Sequence, residues 1–252
     1  MDCNSDSYFV KHLGVVDSTN SYARANAERL WGAAGRASMV VVYADEQTAG
    51  RGQRGNVWQS SAGENLLVSI MVRPLSLPVV SQFALSQAIA LAVCRAMEYY
   101  EVDTRLKWPN DVYVGSGKLA GILVELDYCG SFVEQAVIGV GLNVNQLSFT
   151  SMDRLPVSMR MLKNRLFDVE MVLASLIEAF SHYNALLNGG CATLADEYKK
   201  RLIGYNRVTR YRDAASEFEA EIADVAGDGH LLLKRADGGL SQYAFKEVEQ
   251  LL

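Results

Sequence analysis

The chain is poor in the residues that build metal and disulfide frameworks: of 252 residues, four are cysteine and three are histidine. Cys3, Cys94, Cys129 and Cys191 lie far apart with no CxxC pair, and His12, His182 and His230 are equally scattered, which argues against a structural metal or a disulfide scaffold. Cys94 and Cys129 stand in apolar stretches and read as small buried side chains rather than nucleophiles. A basic excess is also missing. With 24 Lys and Arg against 29 Asp and Glu, the net charge is −5, without the positive surplus that drives phosphate-backbone binding, so no DNA partner is expected. No apolar run reaches the roughly 20 residues a bilayer span needs. The N-terminal MDCNSDSYFVKH has neither the basic nor the apolar region of a signal peptide, so the expectation is a cytoplasmic protein with no membrane partner. What is plentiful is apolar: half the chain, enough for one medium domain or a large and a small one to bury a real core.

Local patterns order the chain. Asp17 and Ser18 can cap a helix over Thr19 to Leu30 that ends at Gly32. MVVVYA (Met39 to Ala44) reads as a buried strand, GRGQRGNVWQSSAGEN as a long polar loop, and LLVSIMV (Leu66 to Val72) as another strand. Leu85, Ala88, Ile89, Ala92, Val93, Ala96 and Met97 recur at helical spacing, predicting a helix from Ser81 to Tyr100. Short β-rich runs from Arg105, Val112 and Leu119, then FVEQAVIGVGLNVN, are separated by the turns GSG and DYCGS and suggest antiparallel hairpins. Helices return near Asp168 to Leu187 and Ala192 to Leu202. After Gly204, RVTRYR, FEAEIADV and HLLLKR alternate as short strands broken by GDG and DGG, the pattern of a small meander or barrel. The chain therefore divides into residues 1–204 and a small β domain, 205–252.

Three segments carry chemistry. Gly50, Gly52 and Gly55 satisfy GxGxxG, but no helix follows the loop and no acidic residue ends a following strand, so a dinucleotide site is excluded. The loop is instead a flexible backbone bearing Arg51 and Arg54, whose guanidinium groups suit carboxylates and phosphates, and it reads equally as a closing anion clamp or as an exposed loop. KWPND (Lys107 to Asp111) is stiffened by Pro109 and presents Asn110 and Asp111 at a set angle, and Lys118 precedes a strand in which Gly121 permits close approach. Taken singly, Lys107 and Lys118 read as solvated strand-end charges. GVGLN ends a buried strand on Asn143, which alone reads as a turn residue.

In this order, DSTN (Asp17 to Asn20), EQTAGRGQRGNVW, KWPNDVYV, KLAGILVEL and IGVGLNVN resemble the catalytic domain of biotin protein ligases over about Asp17 to Asn145. The resemblance implies an α+β fold: a mixed, mostly antiparallel sheet with helices on one face, of the class II synthetase-like type, followed by a small C-terminal SH3-like β-barrel. It implies that Ser18, Thr19 and Asn20 line a biotin head-group pocket with Gln47, that Arg51 and Lys118 are the catalytic cations on the carboxylate side, and that Gly50, Gly52, Gln53 and Gly121 complete the biotin contacts. Arg54, Trp58, Lys107, Asn110, Asp111, Lys118 and Asn143 would shape the ATP end. In similar proteins a second arginine often stands where this chain has Gln53, so one positive charge near the phosphates is absent. With about 16 residues before DSTN, no DNA-binding repressor segment is expected.

The implied reaction makes biotinyl-5'-AMP from biotin and ATP with Mg2+, then transfers biotin to a lysine of a biotin carboxyl carrier protein. Joining a carboxylate to a polyanionic triphosphate needs cations that offset repulsion and hold the attacking oxygen in line. Asp111 is an equal candidate for a magnesium ligand and a turn residue, so the metal ligands are open, as is the base that deprotonates the acceptor lysine. A mixed anhydride that water destroys gives a glycine-rich lid its purpose. Two other readings compete: a lipoate or octanoate ligase or transferase of the same superfamily, and a non-catalytic biotin sensor. An exposed strand edge suits either a homodimer or carrier docking, and the sequence does not choose.

Overall fold

The computed structural model describes residues 3–4, 7–73, 76–149, 155–187 and 192–251; Cys191 and the side chain of Arg54 lie outside the described residues. In chain order the elements are β1 (Cys3–Asn4), β2 (Tyr8–Val16), α1 (Thr19–Ala25), α2 (Ala27–Ala34), β3 (Met39–Gln47), β4 (Leu66–Val72), β5 (Leu77–Pro78), α3 (Phe83–Tyr99), β6 (Arg105–Lys107), β7 (Asp111–Val114), β8 (Gly117–Cys129), β9 (Phe132–Leu142), α4 (Met159–Lys163), α5 (Val169–Leu187), α6 (Ala192–Arg201), β10 (Thr209–Asp213), β11 (Glu217–Val225), β12 (Leu231–Arg235), β13 (Leu240–Tyr243) and β14 (Val248–Leu251).

The larger sheet runs β1-β2-β3-β4-β9-β8-β7-β6, with β5 added on β9. It is mixed and mostly antiparallel, as expected. The parallel pair is β2 and β3, joined across α1 and α2, and β2 occupies a segment in which no strand is expected from the sequence. The turns GSG and DYCGS do mark hairpins: Gly115, at φ 59°, turns β7 into β8, and Gly130, also at φ 59°, turns β8 into β9, a conformation that favours glycine.

Two expectations are corrected. The helix predicted from Thr19 to Leu30 is two helices, because Asn26 turns its amide Nδ2 back onto the Tyr22 carbonyl at 2.9 Å and leaves helical dihedrals. The second runs through Gly32 and stops at Gly35, whose positive φ of 63° ends it. The helices also lie on both faces of the sheet rather than one. Val40, Val42, Met71 and Val137 pack with Ala23, Leu30, Trp31 and Ala34 of α1 and α2, while Met39, Val41, Ile70 and Ile138 pack with α3 and α5 on the other side. Alternation along β3 and β4 supplies both cores, since successive strand residues point to opposite faces.

Helix α3 with the turn before it, Val79–Tyr99, has a mean hydropathy of 1.4 and is long and apolar enough by composition to cross a membrane, which the count of uninterrupted apolar residues does not register. Its apolarity is used against the sheet and helices α5 and α6, where Leu85, Ile89, Leu91 and Met97 are fully buried. After Gly204 the chain forms a five-stranded antiparallel sheet, β13-β12-β11-β10-β14, with no ladder joining β13 to β14 among the described residues. Its buried Tyr211, Ile222, Leu231 and Leu233 belong to the same hydrophobic cluster as the larger sheet's α3 face.

Candidate active site

On the α1 face of the large sheet the register aligns three glycines. Gly121 of β8 is directly opposite Gly141 of β9, and Gly139 of β9 is opposite Ser69 of β4. The sheet there has a floor without side chains, the physical requirement for a ligand to lie against backbone. The space above is already claimed: a Cβ at Gly139 would come within 2.5 Å of Asn20 Oδ1, and a Cβ at Gly141 would run into the Trp58 indole. A cavity of about 420 Å3 opens over this floor, bounded by the start of α1, the glycine loop, KWPND and the β14 region.

One end of the cavity is a hydrogen-bonded chain of neutral groups. Ser18 caps α1 by accepting from Ser21 N, which places Thr19 and Asn20 in the first turn, facing the sheet. Thr19 donates to Gln47 Oε1 from its backbone N at 2.7 Å and from Oγ1 at 3.1 Å. Ser69 Oγ lies 2.8 Å from Thr19 Oγ1 and 2.5 Å from Asn20 Oδ1, so its single hydrogen serves one of them at a time. Asn20 Nδ2 in turn donates to Glu125 Oε2 at 2.9 Å. Ser18, Thr19, Asn20 and Ser69 are all buried, and such a chain presents fixed acceptors and donors to a compact polar ligand.

The other end is charged. Lys118 Nζ is 2.7 Å from Asp111 Oδ1 and 5.7 Å from the centroid of Trp58, whose Nε1 is buried with no hydrogen-bond partner among the described residues. Lys107 stands directly opposite Asp111 in the β6–β7 ladder. Asn110 is pinned to β8, donating from Nδ2 to Ile122 O at 2.6 Å and accepting Ile122 N at 3.0 Å. The turn it belongs to, with a cis Trp108–Pro109 peptide, accepts a 3.2 Å hydrogen bond at Pro109 O from Tyr198, whose hydroxyl is pushed far above its ordinary pKa by burial and so stays a donor.

Of the residues singled out from sequence, Ser18, Thr19, Asn20, Gln47, Arg51, Gly52, Gln53, Trp58, Lys107, Asn110, Asp111, Lys118 and Gly121 line this one cavity. Gly50 does not; its carbonyl accepts Trp58 N at 3.0 Å and so shapes the neck of the loop. Asn143 does not line it either. Its Nδ2 donates to Lys118 O and Val157 O at 3.3 and 3.1 Å, which makes it a brace under Lys118 rather than a wall of the cavity. Arg51 is turned onto Glu125, with Nη2 to Oε1 at 3.1 Å, rather than standing alone over the floor.

Sequence reasoning missed Glu125 and Ser69, which hold Asn20 from behind the cavity wall, and the C-terminal residues Phe245, Lys246, Glu249 and Gln250, which line it. Glu125 and Ser69 had a signal, each being the polar residue in an apolar strand run, ILVEL and LLVSIMV. The C-terminal residues had none, since only the packing of the second sheet brings them near.

Comparisons with known proteins point to one family. The model of the biotin/lipoate A/B protein ligase family matches residues 14–143. A biotin–acetyl-CoA-carboxylase ligase of Paracoccus denitrificans is 30% identical over 238 residues, covering 90% of this chain and 94% of that protein. A bifunctional ligase/repressor of Bacillus spizizenii is 29% identical over 204 residues, which are 79% of this chain but only 62% of that protein. The fold resembles that of a biotin protein ligase from Aquifex aeolicus solved in complex with biotin and ATP, with a TM-score of 0.76 at 21% identity, covering 96% of this chain and 98% of that one. A family model over more than half of the sequence and a relative aligned along nearly its whole length lead to one conclusion: the chain belongs to the biotin/lipoate A/B protein ligase family.

Proposed function

We propose that this chain activates biotin with ATP to biotinyl-5'-AMP, releasing pyrophosphate, and transfers the biotinyl group to a lysine of a biotin carboxyl carrier protein in the cytoplasm. The observation that carries this reading is the two-ended cavity: a side-chain-free glycine floor with a neutral amide and hydroxyl chain at one end and the Lys118–Asp111 pair at the other. A ureido bicycle offers a carbonyl and two N–H groups, which Thr19, Gln47 and Asn20 can meet; a flexible dithiolane chain offers none. That difference favours biotin over lipoate within the family.

In the proposed reaction an oxygen of the biotin carboxylate attacks the α-phosphorus of ATP and the bond to pyrophosphate breaks. Lys118, at the boundary of the two reactants, would offset their repulsion and stabilise the charge that builds on the α-phosphate. Lys107, Asn110 and Trp58 would bound the nucleotide, with Arg51, Gly52 and Gln53 carried on the loop that covers it. Among the described residues no group of three His, Cys, Asp or Glu gathers to hold a metal. Asp111 places a carboxylate on the cavity wall, where it would meet a magnesium ion brought in by the triphosphate, whose chemistry would be neutralisation of phosphate charge. We read residues 1–204 as the catalytic domain and 205–252 as a small β domain that adds Phe245, Lys246, Glu249 and Gln250 to the cavity wall. The edge of the large sheet at β1 is where the carrier or a second copy would pair, since β6 at the other edge is already met by Ile203, whose N donates to Leu106 O at 2.8 Å.

The test is incorporation of labelled biotin or lipoate into carrier domains with MgATP, together with pyrophosphate release. Release that depends on both biotin and ATP supports the reading; preference for lipoate overturns the substrate, and binding of biotin without release leaves a sensor.

A further inference from the structure

Donors from one helix and a loop meet on the Glu125 carboxylate of β8. Asn20 Nδ2 of α1 reaches Oε2 at 2.9 Å, and Arg24 Nη1 of the same helix reaches Oε1 at 3.3 Å. Arg51 of the glycine loop donates to both oxygens, Nη2 to Oε1 at 3.1 Å and Nη1 to Oε2 at 3.3 Å. The Glu125 side chain is 13% exposed, whereas that of Arg51 is 47% exposed. An enclosed carboxylate is costly unless donors and opposite charge surround it, so the loop arginine is held on a fixed acceptor while about half of its side chain stays in solvent.

Two consequences follow for the cavity. With Nδ2 committed to Glu125 and to Leu123 O, Asn20 must present Oδ1 to Ser69, so the polarity of the neutral chain that ends on Gln47 is set from Glu125. Arg51 also pairs by its backbone with Val57 across the neck of the loop, so fixing its guanidinium fixes the segment that carries Gly52 and Gln53 over the floor. The head-group end and the loop thus share one anchor.

We infer that Glu125 is a positioning residue that tethers the glycine loop through Arg51 and orients Asn20, so that loss of its charge frees the loop and weakens capture of the acid substrate. The substrate part rests on the biotin reading above; the tether is a property of the ligand-free protein.

Glu125→Gln keeps an acceptor for Asn20 and removes the charge that holds Arg51. In the ligand-free protein, tryptic cleavage after Arg51, followed by fragment mass, is expected to run about tenfold faster than in wild type, the scale of one lost charge-assisted hydrogen bond. In biotin-dependent ATP–pyrophosphate exchange the KM for biotin should rise about tenfold with kcat changed less than about threefold, and in an Arg51→Ala background the same substitution should change KM by less than about twofold. Should Glu125→Gln fail to fold by circular dichroism, Glu125→Asp, which withdraws the carboxylate by one methylene, is put through the same comparisons. Wild-type cleavage rates in the folded variant, or an equal KM change with and without Arg51, overturn the inference. Absence of any biotin-dependent exchange in wild type would sink the substrate assignment alone, because proteolysis of the ligand-free protein still decides the tether.

Discussion

Lys118 meets Asp111 at 2.7 Å because the β7–β8 hairpin slips by one residue between them. Asp111 pairs with Gly121 and Val112 with Ala120, but Tyr113 then pairs with Lys118, leaving Leu119 as the extra residue of a bulge. In regular register Lys118 would face the opposite side of the sheet. The bulge re-aims it onto the face that carries Asp111 and the glycine floor.

Replacing Lys118 with Ala should therefore lower kcat for biotin-dependent pyrophosphate exchange by about 100- to 1,000-fold, the scale of losing one preorganised charge at a reacting phosphate. Circular dichroism should show the fold retained, since the side chain stays partly exposed at the cavity. Turnover at the wild-type rate would remove Lys118 from the mechanism.

Gly141→Ala tests the floor. A methyl group there collides with the Trp58 ring, and either the indole moves or the space for a ligand closes. Calorimetric titration should show biotin binding at least about tenfold weaker, with a destabilisation of about 1 to 3 kcal/mol as the indole is displaced. Unchanged affinity would mean that no ligand lies against this part of the sheet.

Asn143 separates a brace from a nucleotide contact. Its amide ties Lys118 O to Val157 O, so Asn143→Ala should destabilise the protein by about 1 to 3 kcal/mol in urea melts and lower kcat through Lys118. The KM for ATP should stay near wild type; a selective rise in that KM, with stability intact, would restore Asn143 to the nucleotide site.

Cys94 supplies a pH dependence away from the site. Burial pushes its thiol up to about 11. The folded state therefore holds the proton more tightly than the unfolded chain, so this contribution is fully present below the ordinary thiol range and is lost as pH rises through about 11. Urea midpoints of the wild type should fall across that alkaline window more steeply than those of Cys94→Ala. Cys129, expected from its apolar stretch to be buried, is instead exposed at the end of β8, so a disulfide reagent applied near neutrality should label it and spare Cys94, and early labelling of Cys94 would contradict its burial.

Much of the fold can be read locally. LLVSIMV is β4 residue for residue, and the helical spacing of Leu85 to Met97 places α3 within two residues at its start, because periodic burial on a sheet or helix face leaves its period in the chain. Strand β2 escaped since YFVKHLGVV mixes partly buried polar and apolar residues at the parallel junction. The second face of helices escaped as well: β3 reads as one apolar run, and a run buried on both sides carries no alternation to reveal it.

The sequence by itself determined the parts of the site: glycines where a ligand needs bare backbone, two arginines on a glycine-rich polar loop, a proline-stiffened turn and a lysine at the start of a strand. Tertiary structure alone decided their pairing. Arg51 joins Glu125 across 74 positions of chain, and Lys118 reaches Asp111 only through a bulge, because electrostatic partners and strand register are chosen by distances that folding creates and no local pattern records.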